Sequence, residues 1–382
     1  MRPEPFTIDV PDAVLEDLEL RLSRTRWPDD IPGSQWEYGS SLSYIRELVD
    51  YWRTSFDWRA QERMLNSFPQ FKAEIDGLGI HFIHQRGTGP DPFPLVMIHG
   101  WPSSIHEMYK VIGPLTDPAS HGGDPADAFD MVVPSLPGYG FSDRPKERGV
   151  AVASMAQLFF KLMTEVLGYA TFGAQGGDWG SAITTALGYT YPEQVVGIHL
   201  SNIVAGRIRA PASDLSDAER TWREAGRVWG RDERGYSEIQ GTRPLTVGYA
   251  LSDSPAGLAA WIVEKYRAWS DCDGDVERRF TKDELLTNVM IYWVTETANS
   301  AGRSYYEASH NQAPVPRGGK VEVPTGVALF PGPIANPPRE AVERGYNVQR
   351  WTEMPSGGHF AALEEPEALV EDVRAFFRPL RK

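Results

Sequence analysis

Gly176-Gly177-Asp178-Trp179-Gly180 has the spacing of a Gly-x-Ser-x-Gly nucleophile elbow, with aspartate in the serine position. The elbow is a strained turn from strand to helix. It needs glycine on both sides because a side chain there would clash. Aspartate changes the chemistry. A carboxylate attacking an acyl carbon would give an unstable anhydride, whereas attack on a saturated carbon gives an alkyl ester that water can cleave. The residues therefore point to displacement at carbon, on an epoxide or an alkyl halide. Glycine and aspartate also make ordinary turns. The neighbours favour the elbow, because Thr171 to Gln175 reads as a strand and Ser181 to Thr190 as a helix.

Two further groups fit that chemistry. His99-Gly100-Trp101-Pro102 follows the apolar stretch Pro94-Leu95-Val96-Met97-Ile98. In hydrolases with an elbow, the loop after this strand donates a backbone N–H to the oxyanion, here that of Trp101. The residue after the nucleophile, Trp179, donates the other. Standing alone, this run would be only a tight turn. His359, in Gly357-Gly358-His359-Phe360, lies after the last strand-like segment. Its imidazole titrates in the range a general base for water requires. The order, nucleophile first and histidine near the C-terminus, is that of α/β-hydrolases. The plainer reading is one of eight histidines in a loop, but the glycine pair before it implies a close backbone approach. Opening an epoxide also needs a weak acid for the alkoxide, and a phenol can serve. With 15 tyrosines present, the residues alone do not choose among them.

The elements that must hold these groups fall into four zones. Residues 1–70 read as a helical extension, with Val14, Leu15, Leu18 and Leu22 at helical spacing and a second helix from Ser43 to Ser55. Residues 71–205 read as core. They begin with a hairpin turning at Gly77-Leu78-Gly79 and continue with apolar strands alternating with helices such as Ala153 to Leu167. Residues 206–319 break that rhythm and read as an inserted helical lid, with Pro255 in the first turn of its clearest helix, Pro255 to Trp269. Residues 320–382 resume the core, with strands at Thr325 to Phe330 and Asn347 to Met354 and a last helix from Pro366 to Phe377. The expected fold is α/β, an α/β-hydrolase core whose mostly parallel sheet is covered by helices on both faces.

Composition narrows the class. The chain has 382 residues, 41% apolar and 24% charged, as a soluble globular protein would. A net charge of -14 with no basic run argues against a nucleic-acid partner. The single cysteine, Cys272, excludes an internal disulfide and a thiolate metal cluster. The N-terminal stretch lacks the apolar core of a signal peptide, and no run of about 18 apolar residues occurs. A cytoplasmic, soluble protein is expected. Twelve tryptophans, 15 tyrosines and 16 phenylalanines favour an aromatic-lined apolar pocket.

Taken together, the chain resembles the microsomal-type epoxide hydrolases, a group with juvenile-hormone-like members. The resemblance runs over nearly the whole length. It is carried by His99-Gly-Trp-Pro-Ser-Ser104, Gln175-Gly-Gly-Asp-Trp-Gly-Ser181 and Gly235-Tyr236-Ser-Glu-Ile-Gln-Gly-Thr-Arg-Pro244. Asp253-Ser-Pro-Ala-Gly-Leu-Ala259, Leu286-Thr-Asn-Val-Met-Ile-Tyr292 and Gly357-Gly-His-Phe-Ala-Ala-Leu-Glu-Glu-Pro366 add to it. It implies Asp178 as nucleophile, His359 as base, and Tyr236 and Tyr305 as lid acids, with Tyr306 competing for the second register. It implies a small apolar epoxide as partner and needs neither metal nor cofactor. It leaves a homodimer open, and leaves open whether the diol serves detoxification or natural-product synthesis. The mammalian members' membrane anchor is not present here, which places the expectation with the soluble bacterial branch.

One position departs from the pattern. The family carries a charge-relay acid just after its seventh strand, as Phe-Pro-x-Glu/Asp, but here the run is Phe330-Pro331-Gly332-Pro333. Proline cannot orient His359. The alternative position, near Asn202, is neutral. Glu340, Glu343 and Glu353 are the nearest acids along the chain, with Glu340 the weak candidate. Ester hydrolysis is then slowed, or another carboxylate substitutes. Two competing readings stay open on the sequence. A haloalkane dehalogenase also uses an elbow aspartate, with Trp179 able to hold halide. A binding protein would capture an epoxide or lactone without turnover.

Overall fold

The computed structural model describes residues 2–203, 214–316 and 318–381. Its centre is a nine-stranded sheet. In chain order the strands are β1 (Glu4–Phe6), β2 (Gln70–Ile75), β3 (Leu78–Gln85), β4 (Phe93–Ile98), β5 (Phe129–Pro134), β6 (Phe172–Gly176), β7 (Val195–Leu200), β8 (Val321–Leu329) and β9 (Tyr346–Glu353). The spatial order is β1-β2-β3-β5-β4-β6-β7-β8-β9. The first three pairings are antiparallel, and every pairing from β5/β4 to β8/β9 is parallel. This is the α/β-hydrolase arrangement.

Period-two side-chain alternation explains why both faces are covered. Leu95 and Met97 of β4 and Met131 and Val133 of β5 pack with the helices Tyr109–Thr116 and Pro366–Phe377. Val96, Ile98 and Val132 point the other way, into the core that includes Phe159 and Ile183. A buried His199–Asp372 pair, Nε2 to Oδ2 at 2.9 Å, ties β7 to the last helix. Asp372 also accepts from Arg350 and Thr352 of β9. Burial opposes its ionisation, but the bonds from His199, Thr352 and Arg350 prevail and bring its pKa down to about 2.

The N-terminal zone is not purely helical. β1 adds an antiparallel edge to β2, with Glu4 opposite Lys72. Three residues are too few to show a period, so the strand was not legible. The helices Asp12–Ser23, Leu42–Thr54 and Trp58–Leu65 follow. Glu62 on the third and Asn66 just past its end anchor the backbone N–H groups of Val10 and Ile8. Arg21, Ser40 and Tyr51 reach Asp253, Ala260 and Asp283. The extension therefore bridges the sheet edge and the insertion.

Between β7 and β8 the chain leaves the sheet, and the described residues there include six helices of eight residues or more: Asp217–Glu233, Gly235–Thr242, Pro244–Asp253, Pro255–Trp269, Lys282–Val294 and Ala298–His310. Pro255 occupies the first turn, and Ser254 caps it by accepting from Gly257 N. Residues 206–213 of the expected lid lie outside the described residues. The helix expected over Ala153 to Leu167 is α-helical over Val152–Lys161 and then widens to a π-turn over Leu162–Val166. No helix among the described residues is long and apolar enough to cross a membrane.

Candidate active site

β6 ends at Gly176, and the helix Asp178–Thr190 begins at once. Asp178 takes φ +48°, a left-handed conformation that costs energy for a non-glycine residue and marks a strained turn. A Cβ at Gly176 would sit 2.3 Å from Gly180 C, and one at Gly180 would sit 1.9 Å from Ile98 O. Both glycines are therefore required by contact. Asn202, just past β7, accepts the Asp178 N–H through Oδ1 at 3.1 Å, and its carbonyl accepts from Ser181 Oγ. The neutral residue at that position thus has a structural task, fastening the elbow.

The loop after β4 delivers its donor. Trp101 N lies 2.9 Å from Asp178 Oδ1. His99 holds this loop. Its Nε2 accepts from Leu136 N at 3.2 Å, so Nδ1 carries the proton and donates to Gly100 O at 3.0 Å. Burial brings its pKa down to about 4, outweighing Gly100 and Asp178, so the ring is neutral and structural. Trp179 N–H makes no hydrogen bond to the carboxylate. Asp178 Oδ2 is left facing His359.

His359 Nε2 stands 3.5 Å from Asp178 Oδ2, an ion-pair distance rather than a short hydrogen bond. Its side chain is 9% exposed, against 23% for Asp178, so the imidazole is sealed while the carboxylate is reachable. The loop carrying it is strapped to the end of helix Pro255–Trp269. His359 N donates to Trp269 O, Gly357 N donates to Asp271 Oδ2, and Glu364 accepts from both Asp271 N and Phe360 N. A Cβ at Gly358 would meet Trp269 O at 2.7 Å and Asp271 N at 2.8 Å. The close approach implied by the glycine pair is thus against the insertion. Burial alone would lower the His359 pKa, but Asp178, with smaller help from Glu107 and Glu364, raises it above the ordinary value.

The insertion brings both lid tyrosines over this pair. Tyr236 stacks on Trp101, centroids 4.8 Å apart at 5°. Tyr305 stands edge-on to Trp179 at 4.9 Å and to Tyr236 at 5.6 Å. Tyr306 instead stacks on His310 at 3.9 Å, so the helix presents Tyr305 to the site. Burial, followed by neighbouring groups that include Asp178, pushes both phenols well above their usual range. Both stay protonated as donors. Trp269 packs against Tyr236 and His359, completing an apolar wall.

No carboxylate among the described residues bonds His359 Nδ1, which is buried without a partner. Pro333 is exposed beside Arg220 and Trp229. Glu340 is not brought to His359: it is exposed and accepts from Ser216 Oγ at 2.9 Å. Glu343 pairs with Arg339 and Glu353 accepts from Trp351 Nε1, both on the surface. The carboxyls that do approach the base were not singled out in the sequence. Glu107 and Glu364 are buried, and burial pushes each up to about 7 against the partial opposition of His359. Their signal was an acid inside an otherwise buried run, Ile105 to Met108 and Ala361 to Glu364.

Known proteins share this architecture. Residues 3–108 match the family model described as epoxide hydrolase N terminus, and residues 94–232 match that of the alpha/beta hydrolase fold. A relative from Stigmatella aurantiaca that carries the epoxide hydrolase name is 44% identical, over 99% of this chain and 85% of its own. Epoxide hydrolase 1 of Sus scrofa is 40% identical over 97% of this chain and 88% of its own. The solved structure of Aspergillus niger epoxide hydrolase superposes with a TM-score of 0.87 at 31% identity, covering 100% of this chain and 97% of that one.

Proposed function

From the premise that this chain belongs to the epoxide hydrolase family, we propose that it turns an apolar epoxide into a vicinal diol through an alkyl ester on Asp178. The observation that carries this reading is the juxtaposition at the elbow: one carboxylate oxygen held by Trp101 N–H, the other facing His359, and two phenols packed across the opening. Oδ2 attacks a ring carbon in line with the breaking C–O bond. Tyr236 and Tyr305 donate to the ring oxygen as it becomes an alkoxide. Water then adds to the ester carbonyl, and His359 Nε2 takes its proton. The negative oxygen forms beside Trp101 N–H, and the carbon–alkoxy bond breaks to release the diol. The aromatic wall of Trp101, Tyr236 and Trp269 supports an apolar substituent on the substrate.

The test is one turnover in heavy-oxygen water with enzyme in excess. The first diol should leave unlabelled while the label enters the Asp178 carboxylate, read by peptide mass spectrometry. Label in the first diol and none in Asp178 would instead mean direct attack by water.

The pH dependence follows from the same geometry. In the free protein the Asp178 charge raises the His359 pKa. Alkylation removes that charge, so burial then dominates and the pKa falls. The neutral ring, which is the base, exists above its pKa. Ester decay should therefore rise with pH through an inflection lower than the pH at which His359 titrates in the free protein. Rapid-quench decay rates set against an NMR titration check this. An ester-decay inflection at or above the free value would contradict it.

A further inference from the structure

A cavity of about 50 Å³ lies against His359, and Asp178 does not line it. It has room for more than one water-sized group. It is bounded by Asn202, Trp269, Ile334 and Asn336 and by the chain from Phe330 through Gly332, the stretch that precedes the expected acid position. None of its lining residues carries a carboxylate, and residues 204–213, outside the described residues, contain none in their sequence.

The walls are rich in donors. His359 Nδ1 and Trp269 Nε1 are both buried without a hydrogen-bond partner among the described residues. Asn202 uses Oδ1 to accept the Asp178 N–H, which leaves its amide nitrogen as a donor. Asn336 uses one amide hydrogen on Phe330 O and retains another. Buried donors of this kind require an acceptor. The proton logic sharpens the need. Nε2 faces Asp178, so it is the nitrogen that takes the proton from water. Nδ1 must then carry the N–H of the neutral ring, and it becomes a stronger donor once the ring is charged.

We propose that this cavity binds a small carboxylate of formate size, which accepts the His359 Nδ1–H and supplies from solution the charge that Pro333 does not. The inference rests on the ester reading above and deepens its second half. In that half the water oxygen bonds to the ester carbonyl carbon and a water proton passes to His359 Nε2. The carbon–alkoxy bond then breaks, and the imidazolium proton goes to the departing alkoxide. The bound anion turns the imidazole and stabilises its cation without being consumed.

The experiment loads the full chain with styrene oxide in a rapid-quench instrument and follows the alkyl-enzyme mass, in formate or pivalate at equal ionic strength. Pivalate has the same charge but a bulky tert-butyl group. Formate should speed ester decay saturably by about 10- to 100-fold, short of the ~10⁴ attributed to a built-in triad acid. It should leave ester formation unchanged, and pivalate should do nothing. An Asn336→Asp variant, with its carboxylate in the cavity wall, should decay fast without formate and gain nothing from it. An ester whose decay ignores formate, or responds equally to pivalate, overturns the anion site and leaves the ester mechanism standing. No ester and no label in Asp178 would remove both.

Discussion

Asp178→Ala is expected to lose diol formation by on the order of 10⁴–10⁶-fold, the range spanned when single members of a nucleophile–base–acid triad are removed elsewhere, the nucleophile at the upper end. That corresponds to roughly 5–8 kcal/mol of transition-state stabilisation. Among the described residues, the carboxyls that approach the base, Glu107 and Glu364, are poor substitutes: both are buried, and burial raises each pKa to about 7, so each is a weaker, partly neutral nucleophile near neutral pH. Folding should survive. The left-handed backbone at 178 costs alanine about 1–2 kcal/mol. Against that, the Asp178 charge, which raises Glu107, disappears. An Asp178→Asn variant separates the terms, because asparagine tolerates the left-handed region and keeps the shape but cannot attack as a carboxylate. Thermal melts and product chromatography check both. Substantial diol from the alanine variant would remove the nucleophile assignment.

The same site shows which parts of the protein a sequence can display. The elbow was legible because its causes are local: a strand, a turn that admits only small neighbours, and a helix lie within twenty residues of one another. The histidine loop was legible for a related reason, since Gly357 and Gly358 announce a close approach, although what approaches, Trp269 O and Asp271 N, comes from the insertion. The choice between Tyr305 and Tyr306 was not legible. Adjacent positions on a helix differ by about 100°, and the rotation of Ala298–His310 is set by packing against Trp101, Trp179 and Tyr236. The acid was visible only as a negative, a proline where a carboxylate was expected. That His359 Nδ1 then faces no acceptor among the described residues, with Trp269 Nε1 also unpartnered on a residue lining the same cavity, is a fact of three distant segments brought together.

A Tyr236→Phe, Tyr305→Phe double variant is expected to slow ester formation by about 10²–10⁴-fold, the contribution typical of a positioned general acid. The loss belongs to the first step because the alkoxide forms there. On the proposed mechanism, hydrolysis of the ester uses His359 and the Trp101 N–H, and neither phenol is needed. Each single variant should fall less steeply, because the rings stand 5.6 Å apart and the remaining phenol covers the same oxygen. Stability should barely change, since the stacking on Trp101 and Trp179 involves ring faces and edges that phenylalanine retains. Tyr306→Phe, on a ring stacked against His310, should leave ester formation untouched. An alkyl bromide serves as the control substrate. Bromide leaves without a proton, so if the site alkylates at all with it, the double variant should do so as fast as the parent protein. Trp179 Nε1, buried without a partner, is the group that would meet the halide. Full-rate ester formation from an epoxide in the double variant, together with bromide release at comparable rate, would transfer the acid's role away from the phenols and make halide displacement the better account.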